Sequence, residues 1–135
     1  MTKNIANIVL IDDDFAINYF HKRLFLKLEL GGTVLPFFNA MDALEGLLNL
    51  NKSLKKGDVV FVFLDINMPG IDGWVFLEEY NKIQSSLIGD FKIFVLSSSI
   101  NPDDVEKAKK NPFVTDYLAK PLLIDGIMSL KEMYC

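Results

Sequence analysis

Cysteine is nearly absent from this chain of 135 residues: the single one, Cys135, is the last residue, so no disulfide can form within the chain. That excludes a disulfide-stapled secreted scaffold and suits a reducing compartment, so a cytoplasmic protein is expected. Basic charge is also in short supply. Lys plus Arg number 14 against 18 Asp plus Glu, for a net charge of −4. Nucleic-acid binders usually carry a basic excess or stripe, so nucleic acid is not an expected partner. Long apolar runs are missing as well. The longest, Val59 to Leu64, falls far short of the roughly 20 residues that span a bilayer. The start, Met1-Thr2-Lys3-Asn4, offers no apolar segment of signal-peptide length, so no membrane or export role is expected. Histidine occurs once, as His21 between Phe20 and Lys22. A solvated helix-surface side chain is the expectation there, rather than a phosphodonor or a metal ligand.

What the chain does have is apolar bulk in short, ordered pieces. Half of the residues are hydrophobic and 11 are Phe, which excludes a disordered or low-complexity chain. At this length one domain with a substantial core is expected. Ile8 to Ile11 reads as a strand buried on both faces. Phe15 to Leu30 reads as a helix with Ile17, Phe20, Leu24 and Leu28 inward, ended by Gly31-Gly32. Thr33 to Phe38 is a second strand, placed at an edge because Pro36 has no N–H for a ladder. Asn39 caps a second helix, and the lysine-rich Asn51 to Asp58 is a loop or frayed helix end.

Val59 to Leu64 is the third strand, followed by a Pro69-Gly70 turn and a helix from Gly73 to Ile83. On that helix Trp74 and Phe76 read as core or rim packing. Phe91 to Leu96 is the fourth strand. Asn101-Pro102-Asp103-Asp104 starts a helix whose other end carries Lys107, Lys109 and Lys110, read as a solvated end, before Asn111-Pro112 stops it. Thr115 to Ala119 is the fifth strand, and Pro121 opens a last helix with Leu123, Ile127, Leu130 and Tyr134 on one stripe. Five strands alternating with five helices imply right-handed βαβ units and a parallel sheet covered on both faces. These units use nearly all of residues 1–135, so a single domain without an attached output domain is expected.

Sites in open parallel sheets lie beyond the carboxyl ends of the strands. Four such ends carry polar groups here. Asp12-Asp13-Asp14 follows the first strand and Asp65 the third, the latter in Leu64-Asp65-Ile66-Asn67-Met68-Pro69-Gly70-Ile71-Asp72-Gly73. Ser97-Ser98-Ser99 follows the fourth and Lys120-Pro121 the fifth. Asp14 also suits a plain helix N-cap. Carboxylates about 5 Å apart repel by ~3 kcal/mol per pair at an effective dielectric near 20, so such a cluster favours a divalent cation. Hard oxygen donors select Mg²⁺ or Mn²⁺ over zinc. A lysine and a hydroxyl facing it would hold two further oxygens of a phosphoryl group seated on a carboxylate.

These residues together resemble the receiver domain of two-component response regulators. The likeness rests on Asp12-Asp13, on Asp65 within Asp-x-Asn-Met-Pro-Gly-x-Asp-Gly, and on Ser97, Tyr117 and Lys120-Pro121, in that order over nearly the whole chain. It implies a flavodoxin-like doubly wound sheet of five parallel strands in the order 2-1-3-4-5, with five helices in a three-layer αβα arrangement. It implies Asp65 as phosphoacceptor, charged by a histidine kinase or a histidine phosphotransfer protein. Mg²⁺, or Mn²⁺ in its place, would be bound by Asp13 and Asp65 through carboxylates, by Asn67 through its backbone carbonyl and by Asp12 through a water. Lys120 would pair with the phosphoryl group, Ser97 would be the switch hydroxyl and Tyr117 the switch aromatic.

Ser97 stands where threonine is more usual in the family, and either hydroxyl donates. Ser98 is small enough to sit beside an acyl phosphate, and Asn67 and Ser99 resemble positions that tune autodephosphorylation in the family. The Lys120-Pro121 bond is at a position commonly cis. The implied protein is a phosphoacceptor and not an enzyme, acting through an unidentified downstream partner by the surface of its fourth helix, fifth strand and fifth helix, or through a phosphorelay. Two other readings stand beside it. Asp12-x-Asp14 after a first strand also suits a phosphatase of haloacid-dehalogenase type, and a receiver-like fold can serve as a phosphorylation-independent interaction module.

Overall fold

The computed structural model describes residues 5–135, and in it the apolar runs form five strands that share one parallel sheet. In chain order the elements are β1 (Ile5–Ile11), α1 (Phe15–Leu28), β2 (Thr33–Phe37), α2 (Ala40–Asn51), β3 (Val59–Asp65), α3 (Gly73–Ile83), β4 (Asp90–Ser97), α4 (Pro102–Lys110), β5 (Val114–Ala119) and α5 (Ile124–Tyr134). The strand order is β2-β1-β3-β4-β5, the flavodoxin-like doubly wound arrangement. Pro36 sits in β2 opposite Leu10, on the sheet edge where its missing N–H costs no ladder bond. Among the described residues no helix is long and apolar enough to cross a membrane.

Side chains alternate across the sheet with period two, and the two faces bury different chemistry. Val60, Val62 and Leu64 of β3 pack with Val9, Ile93 and Val95 against α2 and α3, through Ala43, Leu47, Phe76 and Leu77. Phe61 and Phe63 point the other way and join Leu10, Phe94 and Leu96 beneath Phe25 of α1 and Ile127 and Leu130 of α5. This second face is aromatic: the Phe94 ring lies 5.1 Å from both Phe61 and Phe63, and 5.5 Å from Tyr134. Every position of β3 is buried, as a central parallel strand requires.

Helix starts follow the capping residues of the sequence. The Asp14 carboxylate accepts from the N–H groups of Ala16 and Ile17, Asn39 from Asp42, Asp72 from Val75, and Asn101 from Asp103. Three expectations are corrected. The last helix begins at Ile124 rather than Pro121: Pro121 lies in a bend, Leu123 is extended, and no side chain caps the start. Helix α1 ends at Leu28, and it is Glu29 that takes the left-handed conformation at the exit, with φ 49°, ahead of Gly31-Gly32. Its inward stripe is Asn18, His21 and Phe25, while Phe20 is 46% exposed. Ile17, Leu24 and Leu28 are half-buried beside it, the two leucines against the core, so of the apolar stripe only Phe20 turns outward, and the most deeply buried positions include two polar residues.

Candidate functional site

The site is assembled at the carboxyl edge of the sheet, where β1 and β3 are neighbours and the chain crosses to opposite faces after each. Asp65 is the last residue of β3, and Asp12 follows β1 directly. Continuing the alternation, Asp12 follows Ile8 and Leu10, and Asp65 follows Phe61 and Phe63, so both carboxylates fall on the α1–α5 face. Lys120 reaches the same place from β5, two residues beyond Leu118 of that face. Ser97 and Tyr117 have the opposite parity, in line with Val95, so the charged cluster and the hydroxyl–aromatic pair lie on different sides of the sheet edge.

Carboxylate oxygens of Asp12, Asp13 and Asp65 all come within 4.8 Å of one another. Asp12 and Asp65 are each only 2% exposed, whereas Asp13 opens to solvent. Lys120 Nζ closes the cluster, 3.0 Å from Asp12 Oδ2 and 3.4 Å from Asp65 Oδ2. Around them the backbone supplies donors: Asp14 N–H to Asp12 Oδ1 and Asn67 N–H to Asp65 Oδ1, both at 3.0 Å. Burial pushes the Asp65 carboxyl above its ordinary value and Asp12 adds to this, against the pull of the Asn67 N–H and of Lys120. Burial alone would lower Lys120, but its hydrogen bond to Asp12 and the charges of Asp12 and Asp65 outweigh it and hold the ammonium above the usual lysine value.

The neighbouring positions are equally specific. Ser97 is buried, and its Oγ donates to the Ser99 carbonyl at 2.7 Å while accepting from Asn67 Nδ2 at 3.4 Å. Tyr117 is half-buried, and its hydroxyl has no hydrogen-bond partner. The Lys120-Pro121 bond is cis. Gly73 opens α3 directly under the strand end: a Cβ there would stand 2.7 Å from Ile66 Cα and 2.9 Å from the Asp65 carbonyl oxygen, so only glycine lets α3 start this close. Trp74, beside it, is half-buried under Lys107 of α4, whose Nζ lies 4.6 Å from the ring centroid. That lysine is therefore not simply part of a solvated helix end, while Phe76 is fully buried.

His21 departs most from expectation. It is buried, 1% exposed, and its Nε2 accepts the backbone N–H of Leu122 at 3.0 Å. Asn18, one turn earlier, is buried too, and its Nδ2 donates to the carbonyls of Asp12 and Phe37 at 3.1 and 2.9 Å. The spacing of Asn18, His21 and Phe25 (i, i+3, i+7) would have exposed this face had polar residues been admitted to it.

Burial lowers the His21 pKa to about 4, with Asp12 opposing and Lys120 assisting. The unfolded chain takes this proton near pH 6.5 and the folded chain only near 4, so stability is full above 6.5 and falls as the pH drops toward 4. The interval is worth on the order of 3 kcal/mol. Urea unfolding at pH 7 and pH 4 is expected to show wild type losing that much more than His21→Gln. An equal loss in both would contradict the buried neutral ring.

Comparison with known families and structures is consistent with this geometry. The sequence model of the family described as response regulator receiver domain matches residues 8–131. Among solved structures, a response regulator receiver protein from Dyadobacter fermentans is 26% identical with a TM-score of 0.78, the match covering 95% of this chain and 94% of that one. A two-component response regulator from Cytophaga hutchinsonii is 24% identical, TM-score 0.80, over 97% of each chain. The chemotaxis protein CheY4 of Vibrio cholerae shares the fold at 19% identity, TM-score 0.74, over 97% of this chain and 99% of that one. Comparison with curated protein sequences yields no match.

Proposed function

Because this chain belongs to the response regulator receiver domain family, we propose that it accepts a phosphoryl group on Asp65 from a histidine kinase or a histidine phosphotransfer protein. The signal would then pass to a separate partner protein or onward through a phosphorelay, in the cytoplasm. The supporting observation is the convergence of three carboxylates and one ammonium on a single sheet edge.

In the proposed step an ionised Asp65 oxygen attacks phosphorus in the donor's phosphohistidine. The new P–O bond forms as the P–N bond breaks, and the imidazole leaves with the electron pair and takes up a proton. Burial makes the Asp65 carboxylate more basic and so a better nucleophile, while Lys120 and the Asn67 N–H favour its ionised form. Lys120 Nζ then holds one phosphoryl oxygen. Ser97 Oγ leaves the Ser99 carbonyl to donate to another. Tyr117, whose hydroxyl has no partner to hold it, follows by changing rotamer, which alters the surface of α4, β5 and α5. The added charge is about −2, and driving such a switch from mostly off to mostly on takes ~5.5 kcal/mol of differential stabilisation.

The donor set is all oxygen, with no sulfur or imidazole among the clustered groups, and so fits Mg²⁺, or Mn²⁺ in its place. Asp13 and Asp65 would hold the ion through carboxylates, Asn67 through its backbone carbonyl and Asp12 through a water. When bound it supplies positive charge against the phosphoryl oxygens. No turnover of an external substrate is proposed beyond self-phosphorylation from acyl phosphates and autodephosphorylation. Wild-type chain incubated with acetyl phosphate and Mg²⁺ is expected to gain the mass of one phosphoryl group, and EDTA or Asp65→Asn to abolish the gain. No gain in wild type, or a gain that survives Asp65→Asn, overturns the reading.

A further inference from the structure

We infer that His21 is a positioning residue for Lys120, and that α1 sets the Asp12–Lys120 spacing by fastening both partners through two polar side chains on its inner face. The inference rests on the receiver reading for its consequence in phosphorylation, but its geometry stands independently. Asn18 holds the β1 end through the Asp12 carbonyl and the β2 end through the Phe37 carbonyl, which the Asp12 N–H also engages at 3.1 Å. His21 holds the segment after β5 through the Leu122 N–H. Asn18 and His21 stand at i and i+3, neighbours on one helical face. One rigid element thus grips the backbone beside the acid and the backbone beside the ammonium that meets it at 3.0 Å.

Lys120 itself is framed by two backbone anchors. Its own N–H donates to the Ser97 carbonyl at 2.8 Å, and two residues later Leu122 donates to His21. The second anchor lies in the core. Leu122 is buried and directly precedes Leu123, the N-cap position of α5, which makes no side-chain cap. An apolar residue at position 21 would leave the Leu122 N–H without an acceptor, and a buried donor in that state costs free energy until the segment moves to find one. The segment that would move carries Lys120. The acceptor role also requires the proton to sit on Nδ1, so the ring is held neutral as a specific tautomer.

The test compares wild type, His21→Leu and His21→Gln, the last keeping an acceptor on a side chain of similar reach. Each metal-free folded chain is treated with a limiting amount of an N-hydroxysuccinimide ester, and acylation of Lys120 is mapped by mass spectrometry. Exposed Lys82 and half-buried Lys92 serve as references. In His21→Leu, Lys120 labelling is expected to rise about tenfold relative to both references, the factor expected for one lost buried hydrogen bond. In His21→Gln it stays near wild type. A purely structural loosening would raise Lys92 along with Lys120. Equal Lys120 labelling in all three chains overturns the inference, as does an equal rise in both variants or a rise shared by Lys92.

Should the leucine variant not fold, His21→Asn, with its shorter reach, takes its place in the same comparison. A second arm follows phosphorylation by acetyl phosphate with Mg²⁺, where the leucine variant is expected to slow about tenfold and the glutamine variant to recover. A wild-type chain that takes up no phosphoryl group defeats the receiver reading, while the labelling contrast still decides the role of His21.

Discussion

Replacing Lys120 by methionine is expected to slow phosphorylation of Asp65 by a small acyl phosphate about a hundredfold, while Mg²⁺ binds more tightly than to wild type. The opposite signs have one cause. The ammonium stands 3.0 Å from Asp12 and 3.4 Å from Asp65, with its side chain only 12% exposed. Without it three carboxylates remain within 4.8 Å of one another, each pair repelling by roughly 3 kcal/mol at an effective dielectric near 20. The Asp65 carboxylate loses one of the two groups that favour its charged form. The phosphoryl group also loses a fixed positive partner. A divalent cation gains from the same excess of negative charge.

Stability should follow the same pattern. Breaking a buried pair leaves uncompensated charge, so the metal-free variant is expected to lose about 3 kcal/mol in urea unfolding, and added Mg²⁺ to restore part of it. Isothermal titration with Mg²⁺ checks the affinity, and intact mass against time checks the rate. Weaker Mg²⁺ binding alongside the slower reaction would show that Lys120 supports the site by some route other than charge.

Phe94→Ala is expected to produce the largest loss of stability without touching the chemistry. Phe94 is fully buried at the centre of β4 and packs against Phe61, Phe63 and Tyr134. Removing the ring forfeits its transfer free energy and leaves a cavity that strands on both sides cannot close, at a cost of about 4 kcal/mol. Domains of this kind hold only about 5–15 kcal/mol in total. The melting temperature should fall by roughly 14 °C. Well below that temperature the acetyl phosphate reaction should keep its wild-type rate, because the carboxylate cluster is built from other strand ends. A drop of less than about 1 kcal/mol would mean that the aromatic face repacks around the gap.

The legible part of this molecule was the part written in short-range pattern. Buried parallel strands read as unbroken apolar runs, so Asp65 after Leu64 and Ser97 after Leu96 were visible as polar groups ending those runs. Caps such as Asn39 and Asn101 were legible because their hydrogen bonds reach only two or three residues along the chain. His21 and Asn18 were not. Their partners lie 101 and 19 residues away, and nothing in the local sequence distinguishes a histidine facing water from one facing Leu122. The start of α5 differs for a related reason: Pro121 reads as a first helical residue, yet Pro121 to Leu123 precede the helix, in a segment that His21 anchors through the Leu122 N–H. Lys107 over Trp74 is likewise a contact between two helices that no periodicity reports.

Asp65 as phosphoacceptor is tested by chemical location of the phosphoryl group. An acyl phosphate is reduced by borohydride to the alcohol, so a phosphorylated aspartate is converted into homoserine, and peptide mapping by mass spectrometry identifies the residue. After treatment with acetyl phosphate and Mg²⁺, homoserine is expected at position 65 and at no other aspartate. Homoserine at position 12 or 13, or none in a chain that has gained phosphoryl mass, would contradict it.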